Sequence, residues 1–341
     1  MPDNLYVHFP FCRGKCSYCA LYSRAGVSQV ERDAYVRRIA DEIRRLNGPD
    51  RSSVLSTVYF GGGTPALCDL SVLAPALRSL CGEDTEFTVE LHPLDVTESK
   101  LLELKALGVN RISMGVQSFD DAILADMGRG YAVDEAERAF AHVKKHFDNA
   151  GIDLIVGYPG EDKTKEQGEG ERRRNGLLRL GAWGLTHCSV YALQNERGLK
   201  GVPDDDWTMD RLRHIAICLG ELGLVRYEIS NYAVPGYECR HNLAVWRGED
   251  YVGLGDGACG RIGLRRTKFG KTETVSAEFD EKERRLFRLR TREGLDATGH
   301  PEWGQTIRKH VLTGLLTQSG QVYRLTDRGA EVCDSILAEL A

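Results

Sequence analysis

Short apolar, β-branched or aromatic runs alternate along the chain with stretches in which apolar residues recur at spacings of three and four. This is the pattern of strands alternating with helices that bury one face. The first run covers residues 5–9, and Val36, Ile39, Ile43 and Leu46 then mark a helix with one buried stripe. Residues 54–60 predict a second strand that runs into Gly61-Gly62-Gly63-Thr64-Pro65, and Leu70, Leu73, Leu77 and Leu80 predict a helix ending near Gly82. Further strands are expected over 87–91, 111–116, 152–156 and 187–193, separated by helical stretches around 98–107, 133–147, 164–180 and 208–223. The pattern amounts to six βα units, an α/β chain with a parallel sheet. Eight such units close a barrel, so six predict a partial (βα)6 TIM-type barrel open on one side.

The repeat gives way after residue 225 to Tyr227-Glu228-Ile229-Ser230-Asn231-Tyr232, then His241-Asn242, then a glycine-rich stretch over 252–260. Residues 311–316, a turn at Ser319-Gly320, residues 322–325 and a last helix to Leu340 read as helix, hairpin, helix. A small C-terminal α+β lobe of winged-helix type fits them, without implying DNA binding. The expected organisation is a barrel over 1–225, an extension over 226–260 and a C-terminal domain over 261–341. Chemistry in such barrels sits on loops at the C-terminal ends of the strands. There the sequence places Cys12, Cys16 and Cys19 after strand one, the triple glycine after strand two and Gln117 after strand four. Glu90 is expected to close strand three and Asp153 to open strand five, with Tyr191 inside strand six.

Composition narrows the class. The 341 residues are 42% hydrophobic and 28% charged, with no apolar run near 18 residues, which excludes disorder and a membrane span. Met1-Pro2-Asp3-Asn4 leads straight into Leu5-Tyr6-Val7 without a secretory signal, so the cytoplasm is the expected compartment. A net charge of −5 argues against a nucleic-acid partner; residues 261–341 carry 15 Lys/Arg against 12 Asp/Glu, a mildly basic end on an acidic body.

In a reducing compartment the ten cysteines point to metal or redox chemistry wherever they cluster. Three lie within eight residues, and the other seven are scattered as small apolar or incidental residues. Cys12-x3-Cys16-x2-Cys19 puts three thiolates on one short loop. Zinc would need a fourth ligand, for which His8, Cys68 and His92 are the nearby choices. A 4Fe-4S cubane would instead keep one iron free of protein and open to a small molecule.

Cys-x3-Cys-x2-Cys after a first strand resembles the signature of the radical S-adenosylmethionine (SAM) superfamily. Tyr6-Val7-His8-Phe9-Pro10-Phe11-Cys12 is similar to the approach to that motif in its coproporphyrinogen oxidase-like branch. The likeness continues through Gly61-Gly62-Gly63-Thr64-Pro65, residues 109–119, Tyr227-Glu228-Ile229-Ser230-Asn231-Tyr232 and Arg290-Thr291-Arg292-Glu293-Gly294-Leu295, each similar to segments of the HemW-type heme chaperones. The resemblance implies a partial barrel of the radical SAM type, a 4Fe-4S cluster on Cys12, Cys16 and Cys19, S-adenosyl-L-methionine, and heme. It implies cofactor contacts from Tyr6, Gly61, Gly62, Gly63, Thr64, Glu90, Gln117, Arg129 and Asp153: carboxylates for the ammonium and ribose hydroxyls, Arg129 for the carboxylate. Glycines lacking a Cβ would let the cofactor's amino-acid portion come close. Alone, a strand-end Glu is a solvated rim residue and a triple glycine a tight turn, and no G-x-G-x-x-G spacing is present.

Oxygen-independent coproporphyrinogen III oxidases carry an additional N-terminal segment and a fourth cysteine two residues after the third, where this sequence has Leu21. Both points favour the chaperone branch. His241-Asn242-Leu243-Ala244-Val245-Trp246 resembles a His-Asn-x-x-Tyr-Trp heme motif, implying His241 as axial ligand and Trp246 as packing against the macrocycle; Val245 departs from it. Read alone, His241 could equally be a buried histidine bonded to local backbone. Further departures are Cys259, where histidine is more usual, and Gly130-Tyr131. The expected function is binding heme and passing it to acceptor hemoproteins, respiratory ones among the candidates, with an electron donor serving the cluster. The alternative is a radical SAM enzyme acting on a porphyrin, either the oxidase or an anaerobic heme-degrading methyltransferase.

Overall fold

Alternation of side chains across a strand sorts the barrel's polar and apolar residues. In strand β1 (Asn4–Phe9), Leu5, Val7 and Phe9 are fully buried on the outer face, while Tyr6 and His8 point the other way, into the barrel. The same division runs through β2 (Thr57–Gly62), β3 (Glu86–Leu91), β4 (Arg111–Gln117), β5 (Asn149–Val156) and β6 (His187–Ala192). Their outward Val58, Phe60, Phe87, Val89, Ile112, Met114, Ile152, Leu154 and Val190 form one core with the helices. Their inward positions carry polar groups or glycine, apart from Ile155 near the end of β5.

The computed structural model describes residues 2–46, 54–162 and 180–341. The helix expected over 164–180 falls almost wholly outside them. Strands β1 to β6 pair in sequence order and in parallel, as six βα units require. Helix α1 (Gln29–Leu46) buries Tyr35, Val36, Ile39, Ala40 and Ile43 against them. Helix α2 (Glu98–Leu107) starts at Thr97, whose hydroxyl accepts from the Lys100 amide, and stops at Gly108 with φ 94°. Helices α3 (Val133–His146) and α4 (Asp205–Glu221) follow the expected positions within a few residues. The single helix expected from Leu70 to Leu80 is instead a 3-10 turn (Leu70–Leu73) followed by one turn of α-helix (Ala74–Leu77). Pro75 lies inside the segment, yet all four leucines are buried as expected.

Beyond residue 225 the chain keeps adding to the same sheet. Short strands β7 (Val225–Arg226) and β8 (Asn231–Ala233) extend the β6 edge, β8 running antiparallel to β6. Helix α5 (Arg240–Trp246) then leads into β9 (Tyr251–Leu254), which lies parallel to β1 at the opposite edge and becomes a seventh parallel strand. The glycine-rich stretch therefore contains two strands, β9 and the antiparallel β10 (Cys259–Ile262). A Cβ on Gly253 would fall onto the Cys259 carbonyl, so glycine is what lets the pair approach. A hairpin of β11 (Arg265–Lys268) and β12 (Lys271–Thr274) completes the edge, giving twelve strands in all.

The C-terminal segment builds its own core from Leu286, Leu289, Leu295, Trp303, Ile307, Leu316, Ile336 and Leu340. Helices α6 (Ala277–Arg288), α7 (Gly304–Leu312) and α8 (Cys333–Leu340) surround a small sheet of β13 (Leu295–Asp296), β14 (Leu316–Ser319) and β15 (Val322–Leu325). Helix, hairpin and helix follow in the expected order, with helix α7 ending at Leu312 and not reaching 316.

Candidate functional site

The loop after β1 is pinned at both ends. Phe11–Cys12 pairs with Arg24–Ala25, and the Ser17 amide donates to the Met127 carbonyl at 3.3 Å. Cys12, Cys16 and Cys19 are half-buried on this loop, and the Cys19 amide donates to the Cys16 carbonyl at 3.2 Å. Burial raises the Cys12 thiol above its ordinary pKa, opposed by the Ser23 and Thr64 hydroxyls and aided by repulsion from Cys19 and Cys16. A positively charged centre among the three sulfurs would reverse that repulsion. Arg129 Nη1 already donates to Cys16 Sγ at 3.5 Å and to the Tyr18 hydroxyl at 3.4 Å. Among the described residues no three His, Cys, Asp or Glu side chains converge on a point that could hold one ion, as a zinc site would require. Two of the three fourth ligands considered for zinc are also engaged: His8 bonds Tyr6 and Tyr22, and His92 accepts from the Leu94 amide at 3.2 Å. A cubane takes each cysteine on a different iron, so half-buried thiols spaced along one pinned loop suit it.

Beside this loop the barrel interior opens at the C-terminal ends of the strands. Glu90 is half-buried on β3; it accepts from the Tyr59 hydroxyl at 2.8 Å and from the Gly62 amide at 3.0 Å. Burial, and then the negative charge of Asp153, push its pKa up to about 7. Asp153 is raised too, first by burial, while Ser189 and Ser113 donate to it, the latter at 3.0 Å. Asp153 does not open β5 as expected; it sits in mid-strand, its register partners being Gly115 on β4 and Ser189 on β6. Gln117 ends β4 at a register shift with φ 71°, a left-handed conformation rare for glutamine. Tyr191 is 41% exposed, facing solvent from within the barrel.

Two expectations change in detail. The glycines were expected to clear space for a cofactor, but all three are demanded by the protein itself. A Cβ on Gly61 would meet the Glu90 carboxyl carbon at 2.9 Å, on Gly62 the His8 ring at 2.5 Å, and on Gly63 the Phe11 carbonyl at 2.6 Å. Arg129, expected to face a cofactor carboxylate, is 8% exposed and gives Nη2 to the Gly115 carbonyl at 2.6 Å and Nε to the Tyr131 hydroxyl at 3.0 Å. Thr64 is buried, its amide donating to the Phe11 carbonyl at 2.7 Å.

The larger correction concerns His241 and Trp246. His241 is not at the mouth with the cysteines but at the opposite end of the barrel, beside the first residues of β1, β2 and β3. It is 4% exposed, its Nδ1 lies 2.8 Å from Thr57 Oγ1, and its amide donates to Glu86 Oε1 at 3.0 Å. The Thr57 hydroxyl proton goes to Asn4 Oδ1 at 2.8 Å, so His241 Nδ1 carries the hydrogen. Burial, and then the charge of Arg111, lower its pKa to about 3 and keep it neutral. Tyr6, Tyr59 and Tyr251 wall the ring at centroid distances of 6.3, 5.2 and 6.3 Å. A heme-sized plane cannot reach an imidazole so enclosed. Trp246 is likewise occupied, edge-on to Phe287 at 5.8 Å with the Arg290 guanidinium 4.8 Å from its centroid.

Sequence reading missed Tyr59 and Arg111 and weighed His8 only as a zinc ligand; all three complete the interior. Each stands two residues from another inward position, and that polar alternation on strands otherwise apolar was the available signal.

The geometry agrees with comparisons to known proteins. Residues 6–166 match the model of the radical SAM superfamily. The chain is 35% identical to the heme chaperone HemW of Synechocystis over 82% of its own length and 70% of the relative's. It is 30% identical to that of Mycobacterium tuberculosis over 99% and 95%. The chain belongs to the HemW family of the radical SAM superfamily. A bovine member of the superfamily, the mitochondrial radical S-adenosyl methionine domain-containing protein 1, is 30% identical over 97% of this chain and 82% of its own. Among solved structures, the Escherichia coli coproporphyrinogen III oxidase HemN superposes with a TM-score of 0.82 at 20% identity, covering 99% of this chain and 89% of that one, a shared fold. Membership of this superfamily implies a 4Fe-4S cluster and SAM, and the half-buried thiols beside an acidic, solvent-open interior fit both. Among the described residues, no helix is long and apolar enough to cross a membrane.

Proposed function

We propose that this HemW-family protein is a heme chaperone: it binds a 4Fe-4S cluster on Cys12, Cys16 and Cys19, takes SAM at the barrel mouth, binds heme, and passes it to acceptor hemoproteins in the cytoplasm. The observation that carries the reading is near full-length likeness to proteins named heme chaperones, on a chain whose cysteine loop and acidic interior remain intact. When bound, the cluster supplies a redox-active iron site to which SAM's amino and carboxylate groups can attach. The chain's own residues do the rest. Glu90, held by Tyr59 and Gly62, presents an acceptor to a cationic or hydroxylated ligand. Asp153 offers a second acceptor from β5, and the Arg129 contact holds Cys16 toward the mouth.

The test is anaerobic reconstitution followed by parallel assays. Hemin is titrated and followed by absorbance, transfer is measured to an apo-hemoprotein, and coproporphyrinogen III is offered in the presence of SAM and reductant. Hemin binding and transfer without porphyrinogen turnover support the chaperone. Decarboxylation of the porphyrinogen with release of 5′-deoxyadenosine would replace it with the oxidase reading.

A further inference from the structure

Two columns of side chains rise through the barrel from its floor to its mouth, and both start at His241. In one, the His241 ring lies 5.2 Å from that of Tyr59, whose hydroxyl donates to Glu90 Oε1 at 2.8 Å. In the other, His241 stacks on Tyr6 at 6.3 Å and 29°; the Tyr6 hydroxyl lies 3.0 Å from His8 Nδ1, and His8 Nε2 donates to the Tyr22 carbonyl at 2.8 Å. Tyr22 belongs to the loop that carries the cysteines. One end of each column is thus fixed to His241, which is itself fixed through Thr57, Asn4 and Glu86, and the other end reaches a mouth group. Burial keeps both tyrosines protonated, hence donors.

We propose that His241 is a positioning residue for the SAM site: it holds Tyr59 and Tyr6 in place, Tyr59 fixes the Glu90 carboxylate, and Tyr6 with His8 fixes the cysteine loop. This rests on the reading of the barrel mouth as the SAM site, and it gives the His-Asn segment a role at a distance from heme. The groups facing Glu90 are Tyr6 from β1, Tyr59 from β2, Arg111 from β4, Asp153 from β5 and Tyr191 from β6. Of these Tyr59 alone bonds it, and that bond favours the ionised carboxylate.

Three variants of the reconstituted holoprotein test this: Tyr59→Phe, His241→Ala and His241→Gln, the last keeping an amide donor for Thr57. SAM affinity is measured by equilibrium dialysis from pH 5.5 to 8.5, with hemin absorbance in parallel. Tyr59→Phe should weaken SAM binding about tenfold, the loss of one hydrogen bond to a charged group, and move the pH midpoint of binding upward, because the carboxylate loses a donor. His241→Ala should reproduce the same upward shift, His241→Gln should restore much of it, and in the Tyr59→Phe background His241→Ala should add little further shift. Hemin absorbance should survive in every variant. A His241→Ala protein that keeps the wild-type SAM affinity and midpoint while losing hemin absorbance would overturn the proposal and leave the chaperone reading standing. Absence of hemin binding in the wild type would instead overturn the chaperone reading, with the SAM titrations still deciding the role of His241.

Discussion

Gly62→Ala separates a glycine kept for the protein's own packing from one kept for a ligand. Gly62 has φ 104°, where an alanine costs about 1–2 kcal/mol in backbone strain. Its Cβ would lie 2.5 Å from His8 Cε1 and 2.6 Å from Nδ1, so the imidazole must swing away. Doing so gives up the bonds to the Tyr6 hydroxyl at 3.0 Å and the Tyr22 carbonyl at 2.8 Å, each worth about 1 kcal/mol. The expected loss is about 3–4 kcal/mol. Gly184 provides the control: it has φ 61° and open space around its Cβ, so Gly184→Ala should cost only the strain, about 1–2 kcal/mol. Urea unfolding of the cluster-free chain reads both, and at a slope of about 3 kcal/mol/M the Gly62 midpoint should fall by about 1 M. A Gly62→Ala protein no less stable than Gly184→Ala, yet unable to bind SAM, would refute the packing argument and return the glycine to the cofactor.

Two further outcomes follow from the same geometry. In the apo protein, iodoacetamide should label Cys16 and Cys19 well before Cys68, Cys188, Cys239 and Cys333, which are buried and have thiols pushed up, Cys68 and Cys239 to about 12 and Cys333 to about 11; peptide mass spectrometry over a time course gives the order, and equal rates would contradict it. Trp246→Ala removes the edge contact with Phe287 and the Arg290 guanidinium, which should cost about 2–3 kcal/mol in thermal or urea unfolding and leave hemin affinity unchanged; lost hemin affinity at undiminished stability would restore Trp246 as a heme contact.

The difference between the legible and illegible parts of this protein is one of sequence distance. The barrel strands could be read because each declares itself over six or so consecutive residues, and the cysteine loop because its ligands lie within eight residues. The floor could not. Thr57, Glu86, Arg111, Tyr227 and His241 come from five separate segments, and only the assembled sheet brings Glu86 under the amides of Arg240 and His241. A His-Asn dipeptide followed by a tryptophan carries no local mark telling a ligand from a buried hub; burial decides that. Similarly, the glycine-rich stretch 252–260 shows no strand in its sequence because the partner whose carbonyl crowds Gly253 is a strand not recognisable from its own four residues. The leucines of 70–80 were correctly placed inside, but Pro75 limits how much of that spacing is helix.

Charge along the barrel axis leads to a last measurable consequence. On β4 the inward positions from floor to mouth are Arg111, Ser113 and Gly115, so the cation sits deep while Glu90 and Asp153 stand nearer the solvent. Arg111 is too remote to bond either carboxylate; it only partly offsets burial and their mutual repulsion, and Glu90 stays raised to about 7. A folded-state pKa above the unfolded one means that Glu90 costs stability as pH rises from about 4.5 through about 7, so Glu90→Gln should gain in melting temperature over wild type across that interval. A cationic ligand favours the ionised form, so binding SAM at pH 6.5 should expel the proton held there, about 0.8 per site at a pKa of about 7, and at pH 8 only about 0.1. Calorimetric titration of the reconstituted protein in two buffers of different ionisation enthalpy counts those protons, and the difference between wild type and Glu90→Gln isolates the share of this carboxyl. Equal proton release by the two proteins at pH 6.5 would mean that Glu90 does not face the ligand's positive charge, and the electrostatic account of the mouth would fall with it.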